Sequence, residues 1–464
     1  MVMGWQRNAL VSWAVIFLSG SLFTQPIFGA YELPWLFDYY DKPTDWLQLG
    51  GDFRFREVYA ENHTTVDETG TENHWHFQRY RTRLWQKFTP TDSITVNSRF
   101  LWEFRTWGDP PAQSGATDFD EVLIDQLNVQ LDFGPVLNIP LSAVIGRQDM
   151  DLNAWLIHDG TPIDASRTRF LDGARLTLDV ERYQSSIDVA YIDMAAFEDR
   201  WLHPIDEEQD RMFTHQNEYG AILYVTNRAF EPTQWEGFFI FRNDNAVTAL
   251  SRQAELYTFG GAIQGSIDGV PDAQPHWLYR AEGAFQTGHR KDLGQHIKAY
   301  GANTCLTFAW NDLFDNQIHI GYEIASGDDP DSEHYEQFDL LWGQYPRWSD
   351  LYAYTYQMEG EFAENSNLHR LNIGHSVTPW TDQAERKLRI ATDYNLLWCH
   401  EDPQGPDNID NQGHFRGHLL RCLFDFQIHP KIGGHVVGEY LWPGEVYQRK
   451  DEAMFLRFNL EVLF

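Results

Sequence analysis

Cysteine is scarce in this chain of 464 residues, which holds Cys305, Cys399 and Cys422 alone. Three scattered cysteines do not make a disulfide framework or a metal cluster, although Cys399 and Cys422 could meet on neighbouring strands. Positive charge is scarce too, with 35 Lys and Arg against 68 Asp and Glu and a net charge of −33. An excess of negative charge on this scale excludes a nucleic-acid partner.

Long apolar runs are missing after residue 30, because charged residues interrupt every later stretch. No later segment could therefore cross a membrane as a helix, and the mean hydropathy is −0.48. This value does not exclude a membrane protein, since only alternate residues of a transmembrane β-barrel face lipid. A catalytic grouping of Ser, His and an acidic residue is also missing, and no pair of carboxylates stands out. We therefore expect no enzyme.

The first thirty residues differ from the rest. Arg7 lies in a short polar start, residues 9–23 are almost free of charge, and Gly29 and Ala30 follow. This order is typical of a secretory signal peptide, which we predict at residues 1–30, with residues 31–464 as a single mature domain. A membrane-anchoring helix is the alternative, but the apolar run is short for a span.

Aromatic residues make up 15% of the chain, with 18 Trp, 21 Tyr and 31 Phe. Transmembrane barrels place aromatic girdles at both membrane interfaces, so the enrichment fits such a protein. A secreted β protein that binds or cleaves polysaccharide would also be rich in aromatic residues, and this alternative stays open.

The end of the chain carries the most specific pattern. From Met454 to Phe464 every even position is apolar, and the odd positions include Arg457, Asn459 and Glu461. An unbroken apolar stripe that ends on Phe464 resembles the C-terminal strand through which the barrel-insertion machinery recognises outer-membrane proteins. We expect that machinery to be a partner.

The same alternation recurs along the chain and predicts an all-β protein. In residues 93–106, for example, Phe100 and Trp102 alternate with Arg99 and Glu103. Eighteen strands are predicted, an even number as in bacterial barrels. They cover residues 47–59, 76–89, 93–106, 121–133, 141–148, 173–181, 185–193, 217–227, 234–243, 254–266, 275–287, 294–311, 316–326, 366–378, 386–397, 414–428, 432–443 and 453–464.

The connections between these strands alternate between long and short. This order predicts an antiparallel up-and-down transmembrane barrel in the outer membrane, with short periplasmic turns and long extracellular loops. Outer-membrane lipid is then a further partner. We expect two of the long loops, 149–172 and 327–365, to fold inward and gate a pore.

Acidic residues concentrate in the long loops 60–75, 327–365 and 398–413. A solvated outer surface explains this distribution. Bound Ca²⁺, which takes several oxygen ligands from flexible loops, is the weaker alternative, since no loop has EF-hand spacing. No other cofactor is expected. His414 and His418 would lie about 13 Å apart on a strand, too far to share one metal ion.

Basic residues gather on the polar faces of the predicted strands. An arginine facing lipid near the bilayer midplane costs roughly 2–4 kcal/mol, so these side chains should face the lumen. They could form a constriction that favours anions, or they could pair with acidic residues and stiffen the wall. The predicted pore-lining residues on these strands are Arg54, Arg56, Arg79, Arg81, Arg83, Lys87, Arg99, Glu103, Arg105 and Arg175.

Several segments resemble the alginate export family of outer-membrane proteins, in the family's order. They are FQRYRTRLWQKF at 77–88, VIGRQDMDLN at 144–153, DGTPIDASRTRFLDGARLTLD at 159–179, EIASGDDPD at 323–331 and LHRLNIGH at 368–375. The resemblance implies an 18-stranded barrel with an arginine-lined constriction that passes a polyuronate. It also implies motif positions for Arg79, Arg81, Arg83, Arg147, Arg169 and Arg175.

The acidic loops depart from this picture, because they should repel a polyanion at the external mouth. Either they assist one-way release, or the cargo is not alginate. The prediction is therefore a passive, anion-selective channel for an acidic polysaccharide such as alginate or for a smaller anionic solute.

Overall fold

A computed structural model describes the chain from residue 41 to residue 464. The undescribed residues are 1–40, 64–65, 70–72, 110–116, 119–121, 151, 153–169, 198–201, 204, 206–213, 215, 250, 268–274, 344–347, 353–365, 383–385, 404–408 and 410–412. The predicted signal peptide, 1–30, therefore lies outside the described residues. Within the described part, no helix is both long enough and apolar enough to span a membrane.

Eighteen long strands form the wall of the molecule. In chain order they are β1 Leu47–Glu61, β2 His74–Thr91, β3 Ile94–Asp109, β4 Val122–Asp132, β5 Leu141–Gln148, β6 Leu171–Val180, β7 Ser185–Met194, β8 Asn217–Phe230, β9 Thr233–Asn245, β10 Ala254–Ser266, β11 His276–Arg290, β12 Gln295–Ala309, β13 Gln317–Ala325, β14 Leu368–Thr381, β15 Lys387–Trp398, β16 Phe415–His429, β17 Ile432–Pro443 and β18 Ala453–Leu463. Short strand segments at Asp41–Thr44, Thr117–Asp118 and His334–Tyr335 pair with β1, β3 and β12.

Each long strand pairs antiparallel with the next one in the chain, and β18 pairs with β1 from Met454 opposite Glu61 to Leu463 opposite Asp52. At the end of this seam, Gly51 and Phe464 exchange two backbone hydrogen bonds of 3.0 Å. The sheet therefore closes on itself, which removes its edges. The predicted eighteen-stranded up-and-down barrel is confirmed.

Alternation along each strand decides which side chains face outward. On β3, Phe100 and Trp102 are 39% and 44% exposed on the outer face, whereas Arg99 and Glu103 are 4% and 2% exposed on the inner face. Apolar side chains on the outside meet lipid, and polar side chains on the inside meet one another. A strand with one apolar and one charged face needs an apolar medium on one side and polar partners on the other, and the barrel wall provides both.

Connections after odd-numbered strands are mostly long and those after even-numbered strands mostly short, as predicted. The longest joins β13 to β14 through residues 326–367, whereas β2 and β3 are joined by residues 92–93. Two connections depart from the rule. Residues 291–294 make a four-residue turn on the side of the long loops, and residues 267–275 make a longer connection on the opposite side.

The three cysteines are free thiols, so Cys399 and Cys422 do not form a disulfide. The closed ladder of backbone hydrogen bonds, rather than covalent links, holds the wall together.

Candidate pore wall and inward loop

Arginines of β1 and β2 lie side by side on the inner face. Arg54 is directly opposite Arg81, and Arg56 is directly opposite Arg79. The row of Arg56 and Arg79 continues to Arg105 on β3. Directly opposite residues of a sheet share a face, with Cβ atoms about 5 Å apart. The register therefore gathers arginines from separate parts of the sequence into one patch.

Carboxylates hold this patch in place. Glu103 accepts hydrogen bonds from Arg54 Nη2 at 2.9 Å and from Arg79 Nε at 2.8 Å. Asp52 accepts from Arg83 Nε at 2.7 Å. These five side chains are no more than 4% exposed. Ion pairing, the alternative to an open arginine constriction, is therefore what the structure shows for them.

Positive charge nevertheless exceeds negative charge on this wall. The inner faces of 52–58, 79–87, 97–105 and 457–461 carry nine cations and three carboxylates, Asp52, Glu103 and Glu461. Asp125 and Asp149 reach Arg99 at 2.9 Å, and Asp350 reaches Arg457 at 2.8 Å. Asp125, Asp149 and Asp350 thus bring further carboxylates to the three that these inner faces carry themselves.

The remaining predicted residues are placed differently. Arg105 lies over the ring of Trp107, 4.2 Å from its centroid, and Lys87 is half-buried on the inner face of β2. Arg175 pairs with Asp188 at 2.7 Å, and its side chain is 27% exposed. All of these lie on the inner face, and contact with a substrate remains a prediction.

Arg147 is held more tightly. It donates to Asp172 at 2.9 Å, and the ring of Phe170 covers its guanidinium at 3.6 Å. Because Asp172 and Phe170 both hold its buried guanidinium, Arg147 fixes the end of β5, where the next connection starts. Arg169, which the family motif also suggested, lies outside the described residues.

Seven further buried arginines on later strands are absent from the predicted pore-lining set. They are Arg242, Arg280, Arg290, Arg370, Arg416, Arg421 and Arg457. The period-2 pattern of their strands carries the same signal. Arg370, for example, alternates with exposed Leu371 and Ile373 and pairs with Glu323 at 2.9 Å.

The connection from β13 to β14, residues 326–367, enters the barrel in its described parts, as predicted for residues 327–365. We call this connection the inward loop. Its first half packs Phe338, Leu340 and Trp342 against apolar side chains of the wall strands β7–β12, including Ile222 and Ile240. Burial of such side chains contributes about 1.5–3 kcal/mol each, so this contact anchors the segment.

Polar contacts fix the same half of the loop. Asp339 pairs with Arg242 at 2.7 Å and also with Arg252. The backbone N–H of Asp339 donates to Gln286 Oε1 at 2.8 Å. Asp339 of the loop therefore forms ion pairs with guanidinium groups of the inner wall.

The second half of the loop contacts the other side of the barrel. Ser349 Oγ and the backbone N–H of Leu351 donate to Glu439 on β17, at 2.6 and 2.9 Å. Asp350 pairs with Arg457 on β18. The described parts of this loop thus reach wall strands on two sides of the lumen and narrow it. The other loop expected to fold inward, 149–172, lies mostly outside the described residues.

The base of the inward loop is a compact turn. Asp328 accepts from the backbone N–H of Glu336 at 2.7 Å, and Ser326 Oγ donates to the carbonyl of Glu336 at 2.6 Å. Burial raises the pKa of Asp328, which therefore takes up a proton at a higher pH than an exposed aspartate. The turn directs the chain back from β13 into the lumen.

Residues 45–455 match the model of the alginate export family. The chain belongs to the alginate export family. No curated protein matches it. Its fold is similar to several solved porins. OccAB1 of Acinetobacter baumannii has a TM-score of 0.57 at 10% identity, covering 90% of this chain and 96% of that one. OprD of Pseudomonas aeruginosa has a TM-score of 0.54 at 7% identity, covering 90% and 94%.

This member of the alginate export family is an outer-membrane channel. The closed barrel with its apolar outer band excludes the alternative of a soluble secreted β protein. Within the described residues, no group of three or more His, Cys, Asp or Glu side chains is placed to hold a metal ion. Calcium bound by the acidic loops stays a prediction without a located site.

Proposed function

We propose that this channel passes an anionic polysaccharide, an alginate-like polyuronate, or a smaller anionic solute along the arginine wall of β18, β1, β2 and β3. The excess of nine cations over three carboxylates on the inner faces of those four strands is the observation that carries the proposal. Transport is passive, and the proposed function includes no catalytic step.

The chemistry of the wall suits carboxylates. A guanidinium presents N–H groups in a planar fork that matches a carboxylate, and it keeps its charge at any physiological pH. Alternate residues of a strand are about 6.7 Å apart, so Arg79, Arg81 and Arg83 place three positive charges in a row along β2. Because these three side chains are at most 4% exposed, they would attract a polyuronate through the field of the wall, and the less buried Lys87 and Arg105 would contact its carboxylates.

The acidic loops fit release to the outside. A polyanion that has left the arginine wall meets carboxylates at the external mouth, and repulsion disfavours its return. The same loops would weaken uptake of an anion from the medium, so the proposal is export rather than import.

The inward loop gives this path a gate. Asp339 and Asp350 occupy Arg242, Arg252 and Arg457 as carboxylate ligands. Carboxylates of the cargo compete with them for the same guanidinium groups. Cargo binding would then release the loop from the wall and widen the passage.

The C-terminal strand has a separate proposed partner, the barrel-insertion machinery. Leu456, Phe458 and Phe464 are exposed on its outer face, at 47%, 37% and 51%. Before β18 pairs with β1, this strand presents both the apolar stripe and free backbone groups. Pairing by strand addition is a general mode of recognition for such an edge.

The proposal is tested by single-channel recording in planar bilayers, with reversal potentials and added oligouronates. The wild-type channel should select anions and be blocked by oligouronates. The variant Arg79→Ser, Arg81→Ser, Arg83→Ser should lose most of that block, because three guanidinium groups leave the wall.

A control variant removes the same charge from exposed positions in turns or near strand ends, as Arg182→Ser, Arg228→Ser, Arg386→Ser. It should keep both the selectivity and the block. A cation-selective pore that ignores oligouronates would leave the barrel intact and overturn the proposed cargo.

A further inference from the structure

A cluster of nitrogen bases lies on the outer surface of the barrel, outside the proposed path. His289 on β11 is directly opposite His296 on β12, with ring centroids 4.1 Å apart. Lys298 Nζ donates to His334 Nε2 at 2.7 Å, and the rings of His296 and His334 are 6.5 Å apart. His289, His296 and Lys298 are exposed. We call these four residues the outer basic cluster.

The height of the cluster on the barrel follows from strand geometry. Phe259, Phe285 and Tyr300 are 51%, 48% and 45% exposed on the same outer face, closer to the middle of the strands. His289 follows Phe285 by four residues, which is about 14 Å along the strand. The cluster therefore lies just beyond the apolar band, at the level of lipid headgroups on the side of the long loops.

The surroundings leave this surface accessible. The external connection between β11 and β12 has only four residues, 291–294, whereas most external connections are longer loops. The neighbouring carboxylate, Glu255, lies 3.1 Å from Lys291 and also accepts from Tyr257 at 2.5 Å. Glu255 lies directly opposite His289, and Lys291 balances its charge, so that among the described residues the charge of Lys298 is left for another anion.

We propose that the outer basic cluster binds a phosphate of a phosphorylated glycolipid in the outer leaflet. Lys298, oriented by His334, supplies a positive charge, and the exposed imidazoles of His289 and His296 supply N–H donors. The acyl chains of the same lipid would contact Phe259, Phe285 and Tyr300 below the cluster. A lipid bound in this way would stabilise the outer ends of β11 and β12, where no long loop covers the barrel.

The test is native mass spectrometry of the full-length barrel, titrated with diphosphoryl lipid A, with its dephosphorylated form and with inorganic phosphate. The wild type should retain one more diphosphoryl lipid than the variant His289→Gln, His296→Gln, Lys298→Gln. That variant should bind at least tenfold more weakly. The dephosphorylated lipid should not distinguish the two proteins.

The control variant His375→Gln, Lys431→Gln changes the same residue types toward the opposite, periplasmic end, where His375 contacts Asn316 at 3.2 Å. It should bind lipid like the wild type. Folding of every variant is checked by heat-modified gel mobility and conductance. Equal lipid retention by the folded wild type and triple variant would overturn the proposal. If millimolar inorganic phosphate bound to the outer basic cluster as well as diphosphoryl lipid A does, the assignment to a lipid would be overturned.

Discussion

At the scale of single residues, the inner wall is a set of buried charges that depend on one another. Glu103 holds two arginines, Arg54 and Arg79, and is 2% exposed. Removal of one partner from a buried pair leaves an uncompensated charge, which costs about 3–5 kcal/mol. The wall is therefore rigid, because separation of its paired charges has a high free-energy cost.

Glu103→Gln should accordingly lower the free energy of unfolding by about 3–5 kcal/mol, measured by urea unfolding of the barrel in lipid vesicles. The same change removes a negative charge from the wall, so the surviving channels should be more anion-selective in reversal-potential measurements.

The matched control is Glu57→Gln on the same strand as Arg54. Glu57 contacts His76 at 2.6 Å, but both side chains are exposed by about a third or more. Exposed pairs contribute about 0–1 kcal/mol, so this variant should be nearly neutral. Equal effects of the two substitutions would contradict the account of Glu103.

At the scale of elements, the described parts of the inward loop lie inside the barrel and contact wall strands on two sides of the lumen. Its two halves are tied to different wall strands through Asp339 and Asp350. The apolar contacts of Phe338 and Trp342 anchor the loop, whereas the aspartates make the contacts that an anionic cargo would replace under the proposed function.

The double variant Asp339→Asn, Asp350→Asn should therefore raise the single-channel conductance, since the loop loses its charged ties to Arg242 and Arg457. The control Asp331→Asn, Glu333→Gln changes two exposed acids of the same loop and should leave the conductance unchanged. If the Asp339→Asn, Asp350→Asn variant had the wild-type conductance, these ion pairs would have no part in the proposed gating.

The strands themselves were predictable from sequence, in number and in the faces that they present. The predicted strand 76–89 is His74–Thr91 in the structure, and 93–106 is Ile94–Asp109. These two strands are longer than predicted at their outer ends, whereas the predicted strand 294–311 is shorter, Gln295–Ala309, because pairing with the neighbouring strand rather than local alternation decides where a strand ends. The approach of the loop to particular wall residues was not predictable, since it depends on contacts between residues about a hundred positions apart, as for Arg457 and Asp350.

At the scale of the whole molecule, charge is separated between the loops and the wall. The chain carries a net charge of −33, yet the wall of β18, β1, β2 and β3 has more cations than carboxylates. Average composition therefore does not describe this wall, whose local surplus of arginine carries the proposed anion selectivity.

This surplus predicts a salt-dependent selectivity. The Debye length is about 10 Å at 0.1 M and about 3 Å at 1 M, so concentrated salt screens the wall from the middle of the lumen. The ratio of anion to cation permeability should fall as KCl rises from 0.1 to 1 M. The Arg79→Ser, Arg81→Ser, Arg83→Ser variant should show a flatter dependence. A salt-independent ratio in the wild type would assign the selectivity to pore width instead.

The sequence by itself determined the strands and the barrel expected from them, because alternating faces, an even strand number and alternating loop lengths together favour a wall between lipid and a polar interior. It also determined which arginines face inward, since alternation has a period of two. The tertiary structure alone decided which carboxylate each arginine meets and how far the loop after β13 enters the lumen. Those contacts depend on the register of neighbouring strands and on the closure of β18 against β1, which no local pattern specifies.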